Sequence, residues 1–192
     1  MPISPSNAIV NVPNVLTAVR LALAIGVFVL IPRHEYLTAL IVFVLAASTD
    51  WIDGYWARKY NQVTKLGRIF DPFVDKIIIC GAFVYLAVEP RSGIAAWMAV
   101  LVMGREMLVT ALRSFIETSG GDFSAQWSGK LKMVFQCAAV VSSLLVLRHH
   151  QLEVKLPEWL AGALFLSVWL AIISTVYSGL EYIIAASRAL RS

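Results

Sequence analysis

The sequence predicts an all-α integral membrane protein, with six transmembrane helices in an antiparallel bundle and both termini on the cytoplasmic side. Three observations predict it. Apolar residues make up 59% of the 192 and charged residues 15%, with a mean hydropathy of +0.74. A soluble domain is nearer half apolar and a quarter charged. Long apolar stretches, each near or above the roughly 20 residues that cross a bilayer, alternate with proline and glycine. Lysine and arginine are split unevenly between the two ends such a bundle would have. The length suits one domain over residues 1–192.

Residues 1–13 carry Pro2, Pro5 and Pro13 and no charged side chain, and read as a short tail. No basic segment precedes the first apolar run, because the first Lys or Arg is Arg20. That run is therefore expected to be a retained spanning helix rather than a signal peptide. The helices are expected at about 14–32, ending at Ile31-Pro32, then 36–58, and 66–88, stopped by Glu89-Pro90. The others are expected at about 94–118, before Gly120-Gly121, then 126–148, ending at Arg148-His149-His150, and 157–187, opened by Pro157. Short connections make neighbours antiparallel. No internal repeat or low-complexity segment is present. Cys80 and Cys137 both lie in apolar runs and read as small buried residues rather than a disulfide.

Six crossings put the N-terminus, the 58–68 loop, the 118–127 loop and the C-terminus on one side. That side and its adjoining helix halves carry Arg20, Arg58, Lys59, Lys65, Arg68, Lys76, Arg105, Arg113, Lys130, Lys132, Arg188 and Arg191. The other carries Arg33, Arg91, Arg148 and Lys155, diluted by Glu35, Glu89, Glu153 and Glu158. Positive residues stay inside, so the first side is cytoplasmic.

The same side holds the chemistry. The chain has five aspartates, and Asp50, Asp53, Asp71 and Asp75 fall within 26 residues flanked by apolar runs. A carboxylate at a bilayer centre costs roughly 2.5–3.5 kcal/mol on insertion scales, so something must offset the charge. Asp50 and Asp53 are three apart on one predicted helix; Asp71 and Asp75 are four apart on the next. Each spacing puts a pair on one helix face. Four converging carboxylates without a cation would repel one another. Mg²⁺ or Mn²⁺, as one or two ions, is the expected cofactor, because hard cations take carboxylate and phosphate oxygens. Gly54, Ala57 and Gly67 leave room for close approach, and Arg58 supplies a fixed cation for a phosphate. Asp71-Pro72 puts a proline near the start of the third helix, where a missing N–H costs least.

The complete pattern is D-x-x-D-G-x-x-A-R, eight residues, then G-x-x-x-D-x-x-x-D, on Asp50, Asp53, Gly54, Ala57, Arg58, Gly67, Asp71 and Asp75. It resembles the signature of the CDP-alcohol phosphotransferase family. The resemblance implies a six-helix membrane fold and a metal-dependent enzyme that moves a phosphatidyl group from a CDP-linked lipid to an alcohol and releases CMP. It implies that Asp50, Asp53, Asp71 and Asp75 are metal ligands and that Asp75 is also the general base. It implies that Gly54, Arg58 and Thr64 hold the CDP moiety, with Ala57 and Gly67 beside them, and that the protein is a homodimer. The expected location is a bacterial inner membrane, multi-pass, with the active site facing the cytoplasm. Partners would be CDP-diacylglycerol, an acceptor alcohol and membrane lipid, with no nucleic acid.

Two further segments extend the resemblance. Asn14, Thr17 and Arg20 trace one face of the first helix, and such an N-x-x-T-x-x-R run borders the CDP-lipid pocket in the family. The plain alternative is a helix cap followed by an arginine reaching for the interface. In the fourth helix Arg105 and Arg113 lie eight apart and share a face, with Thr110 near that stripe. Glu106 adjoins Arg105 in sequence but is expected on another face. With Lys130 and Lys132 these cations suit an acceptor that is itself a phosphate; the alternative is a structural ion network. The R-E-x-x-x-x-x-L-R run resembles the bacterial branch that uses glycerol 3-phosphate, although inositol phosphate or another acceptor also fits the charge.

A Mg²⁺ channel is the reading from another class. Channel acids should recur at several depths, whereas these gather at one end beside arginines. His34, His149 and His150 read as solvated loop residues and Asp122 as a solvated turn. The tryptophans read as interfacial or packing residues. The apolar stripes of helices five and six read as packing or lipid-facing surface without a functional signal.

Overall fold

The computed structural model describes residues 12–60, 65–118 and 127–189, with side chains except at 12–14, 16, 50–60, 65–72, 75, 115–118, 128 and 188–189. The described residues form six helices and no strand: α1 (Val12–Leu30), α2 (Tyr36–Tyr60), α3 (Lys65–Val88), α4 (Ala96–Thr118), α5 (Trp127–Gln151) and α6 (Glu158–Ala189). Two of them are long and apolar enough to cross a membrane on those grounds alone, over Gly129–Gln151 and Glu158–Ser187. Shorter apolar helical stretches are Thr17–Leu30, Tyr36–Thr49 and Lys76–Val88. On α6, Phe165, Leu166, Ile173, Leu180 and Ile184 are all exposed. A row of large apolar side chains turned outward belongs in hydrocarbon rather than water.

The chain divides into two compact units, Met1–Tyr85 and Leu86–Ser192. In the first, α1 packs on α2. The buried stripe of α1 is Thr17, Arg20, Ala24, Val27 and Ile31, spaced at three and four residues. The α3 helix meets α1 at Gly81, where a Cβ would stand 2.1 Å from Cζ of Phe28. The Phe28 ring fills the space a side chain would take, and it stacks on Tyr85 with centroids 5.3 Å apart. The α3 helix begins at Lys65, one residue before the expected bound, so Pro72 is its eighth residue and lies beyond the first turn.

In the second unit α6 packs against both α4 and α5. Polar contacts fix the end opposite the cations. Ser143 Oγ donates to the Ser92 carbonyl at 2.7 Å, and the Ser142 and Ser167 hydroxyls meet at 2.8 Å. Gly93 adopts φ +75, and a Cβ there would stand 2.8 Å from a Leu164 methyl, so a side chain is excluded on both counts.

The α1 and α5 ends are closed by non-glycine residues in the left-handed region. His34 has φ 59; its N–H bonds to the Ile31 carbonyl and the next N–H, of Glu35, bonds to that of Leu30. Glu153, at φ 55, does the same with His150, and Val154 with His149. This paired reverse bonding is a Schellman closure. It carries α5 to Gln151, so His149 and His150 lie in the last helical turn rather than in a loop.

Candidate functional site

The aspartate pairs fall inside helices. Asp50 and Asp53 lie in α2 with Gly54, Ala57 and Arg58 following, and Gly67, Asp71 and Asp75 lie in the first half of α3. Their helical spacings, three and four residues, put each pair about one turn apart. The side chains of these aspartates and of Arg58 lie outside the described residues, and Thr64 does so entirely. Among the described residues no group of three or more His, Cys, Asp or Glu could hold a metal ion. Four carboxylates are a donor set whose chemistry a hard divalent cation takes. In the turn before Asp50, Ser48 and Thr49 donate back to the carbonyls of Val44 and Leu45 at 2.7 and 2.8 Å.

On α1, Thr17 and Arg20 both lie on the buried stripe, and Arg20 is only 2% exposed. Asn14 is in the same helix, with its side chain outside the described residues. An arginine at this depth does not reach out to an interface, so the snorkelling alternative fails for Arg20.

The second unit contains a polar cluster built by three helices. Glu106 of α4 is buried and receives Arg105 Nη1 at 3.1 Å, while Lys132 Nζ of α5 donates to the same oxygen. Arg105 also donates from Nε to Ser178 Oγ of α6 at 3.2 Å. Its guanidinium lies 5.4 Å from the ring centroid of Tyr182, within cation–π range. Arg113 Nη2 donates to the Tyr182 hydroxyl at 3.3 Å. One helical turn from Lys132, Gln136 donates to Thr175 Oγ1 at 3.0 Å. Two cations thus share one carboxylate, and a third, Arg113, joins the cluster through Tyr182, in a place where uncompensated charge is costly. Two buried N–H groups, Arg105 Nη2 and Arg113 Nε, have no hydrogen-bond partner among the described residues. Buried donors are nearly always paired, so these two open donors on cationic side chains suit an anionic ligand.

The structure therefore brings Arg105, Arg113 and Lys132 together and leaves two expected partners outside. Lys130 is exposed and lies over the Trp127 ring, with Nζ 5.5 Å from its centroid. Thr110 is exposed and its hydroxyl donates back to the Glu106 carbonyl at 2.6 Å. Glu106, expected on a different face from Arg105, bonds to it, because a long arginine stem can swing across the angle between adjacent helical positions. The residues missed outright are Ser178, Gly179 and Tyr182 of α6. Their signal was a polar stripe, Thr175, Ser178 and Tyr182, at helical spacing in an otherwise apolar helix.

The described residues are all helical; they carry the aspartate pattern in α2 and α3 and a polar cluster with three cations in the second unit. A sequence profile of the CDP-alcohol phosphatidyltransferase family matches residues 10–177, and the chain belongs to that family. Its similar relatives include the CDP-diacylglycerol–glycerol-3-phosphate 3-phosphatidyltransferase of Bacillus subtilis (strain 168), 34% identical over 90% of this chain and 93% of that protein. Those of Yersinia pestis (strain Pestoides F) and Haemophilus influenzae (strain Rd) bear the same name. They are 32% and 30% identical, over 92% and 94% of this chain and 94% and 95% of theirs.

Proposed function

We propose that this chain transfers the phosphatidyl group of CDP-diacylglycerol to sn-glycerol 3-phosphate, yielding phosphatidylglycerophosphate and CMP. The observation that carries the choice of acceptor is the buried cluster of Arg105, Arg113 and Lys132 with its two unpartnered N–H groups. An acceptor bearing a phosphate supplies the charge and the lone pairs this cluster lacks. The names of the similar relatives support the same acceptor.

Three residue sets divide the work. Asn14, Thr17, Arg20, Gly54, Ala57, Arg58, Thr64 and Gly67 hold the CDP-lipid, with small residues admitting the nucleotide and Arg58 balancing phosphate charge. Arg105, Arg113 and Lys132 orient the acceptor by its phosphate. Asp50, Asp53, Asp71 and Asp75 would hold Mg²⁺ or Mn²⁺, one or two ions, which when bound neutralises the diphosphate and improves CMP as a leaving group. Asp75 takes the proton from the acceptor hydroxyl. That oxygen forms a bond to the β-phosphorus as the bond from this phosphorus to the CMP oxygen breaks.

Six crossings with both termini cytoplasmic fit the six helices and the bias of lysine and arginine. We take residues 1–192 as one catalytic domain, supported by a family match that runs through both compact units. We place the protein in a bacterial inner membrane with its site facing the cytoplasm, acting as a homodimer. The test is a panel of labelled acceptors given to the purified protein with CDP-diacylglycerol and Mg²⁺ or Mn²⁺. Glycerol 3-phosphate should enter lipid with stoichiometric CMP release. Incorporation of inositol phosphate in its place would overturn the acceptor.

A further inference from the structure

Building on Arg105, Arg113 and Lys132 as the acceptor-phosphate site, we propose that Tyr182 is the positioning residue that aims both arginines. It is a single buried side chain, 3% exposed, that touches two guanidinium groups in different ways. Its ring underlies Arg105, and its hydroxyl accepts from Arg113 Nη2. One turn earlier on the same face Ser178 takes the Nε of Arg105. Between them Gly179 lets the arginine stem lie against α6; a Cβ there would come within 3.4 Å of Arg105 Cγ.

A guanidinium is planar and rigid, so fixing one edge fixes where the others point. On Arg105, Nε is committed to Ser178 and Nη1 to Glu106, leaving the buried Nη2. On Arg113, Nη2 is committed to Tyr182, leaving the buried Nε. Tyr182 takes part in setting both. It lies beyond the residues 10–177 that match the family profile, so the family signature does not assign it this role.

Initial-rate kinetics on the full-length enzyme in lipid nanodiscs tests this with Y182F, Y182L, R105A, R113A and the double variant R113A/Y182F. Y182F keeps the ring and loses the hydroxyl. It should raise KM for glycerol 3-phosphate about three- to tenfold, the worth of one hydrogen bond, with KM for CDP-diacylglycerol unchanged. Inorganic phosphate, as a competitive probe, should lose affinity by the same factor. Y182L, which also removes the ring, should raise KM further. Because the hydroxyl acts through Arg113, Y182F should add nothing in the R113A background. If Y182L does not fold, Y182F and the double variant carry the test alone. A wild-type KM in Y182F overturns the role, as does a fully multiplicative effect in R113A/Y182F. An equal rise in both KM values with a lowered melting temperature also overturns it, because that is a packing defect. If R105A and R113A both leave the glycerol 3-phosphate KM unmoved, the acceptor site itself is wrong and Tyr182 falls with it.

Discussion

Replacing Glu106 with Gln tests the charge balance of the cluster most directly. The carboxylate receives Arg105 Nη1 and Lys132 Nζ, and both residues it holds are largely buried, with side-chain exposures of 9% and 7%. The amide keeps an acceptor oxygen and nearly the same shape but loses the charge. A hydrogen bond involving charged groups contributes about 1.5–3 kcal/mol and a neutral one about 0.5–1.5. Weakening two such bonds should therefore cost about 2–3 kcal/mol. For a chain of this length that corresponds to a fall in melting temperature of roughly 4–12 °C. The same change leaves three cations with no carboxylate among these four side chains, so an added anion should bind more tightly. Each tenfold gain in affinity raises the protection given by saturating phosphate by about 1.4 kcal/mol. Thermal unfolding in detergent, with and without inorganic phosphate, reads both effects. A variant that melts within about 1 °C of wild type, or gains less from phosphate than wild type does, would refute Glu106 as the counter-ion of the site.

Purified Asp75→Asn should fold, with an unchanged melting profile, yet lose CMP release; near wild-type turnover would remove Asp75 from the role of base. Gly81→Ala should cost about 1–3 kcal/mol, because its Cβ displaces the Phe28 ring from its stack on Tyr85. The cost should shrink in a Phe28→Leu background, whose shorter side chain does not reach the position of Cζ, as read by thermal unfolding of the four variants in the cycle. Thr175→Val should cost about 1–3 kcal/mol by stranding the amide of buried Gln136, whereas Gln136→Leu should cost less. The asymmetry arises because Thr175 keeps its own bond to the Ala171 carbonyl at 2.6 Å once Gln136 is gone.

The helices were legible because two strong signals coincide: apolar runs of spanning length, and proline or glycine at their ends. Where the bounds moved, the cause is a closure the sequence does not advertise. His34 and Glu153 take the left-handed position usually held by glycine, and nothing in their side chains marks them for it. Extending α5 through His149 and His150 follows directly from that turn. The inward face of α1 was legible from spacing alone, because Thr17 and Arg20 fall on the repeat that also buries Ala24, Val27 and Ile31.

The cluster of Arg105, Arg113 and Lys132 was half legible, and the missing half shows what sequence patterns leave out. Arg105, Arg113 and Lys132 stand out because cations in apolar helices need a reason. Ser178 and Tyr182 do not, because hydroxyls are cheap in a membrane helix when they bond to their own turn. Thr175 and Ser178 do so here, to the carbonyls of Ala171 and Thr175. A hydroxyl satisfied by its own backbone still has lone pairs to offer, and Ser178 offers one to Arg105. Lys130 errs the other way: it sits two residues from Lys132, which on a helix turns it about 200° away, and it lies over Trp127 instead. Charge identifies candidates for an anion site, but membership follows helical angle. The residues that orient those charges come from an apolar helix whose few polar positions share one face.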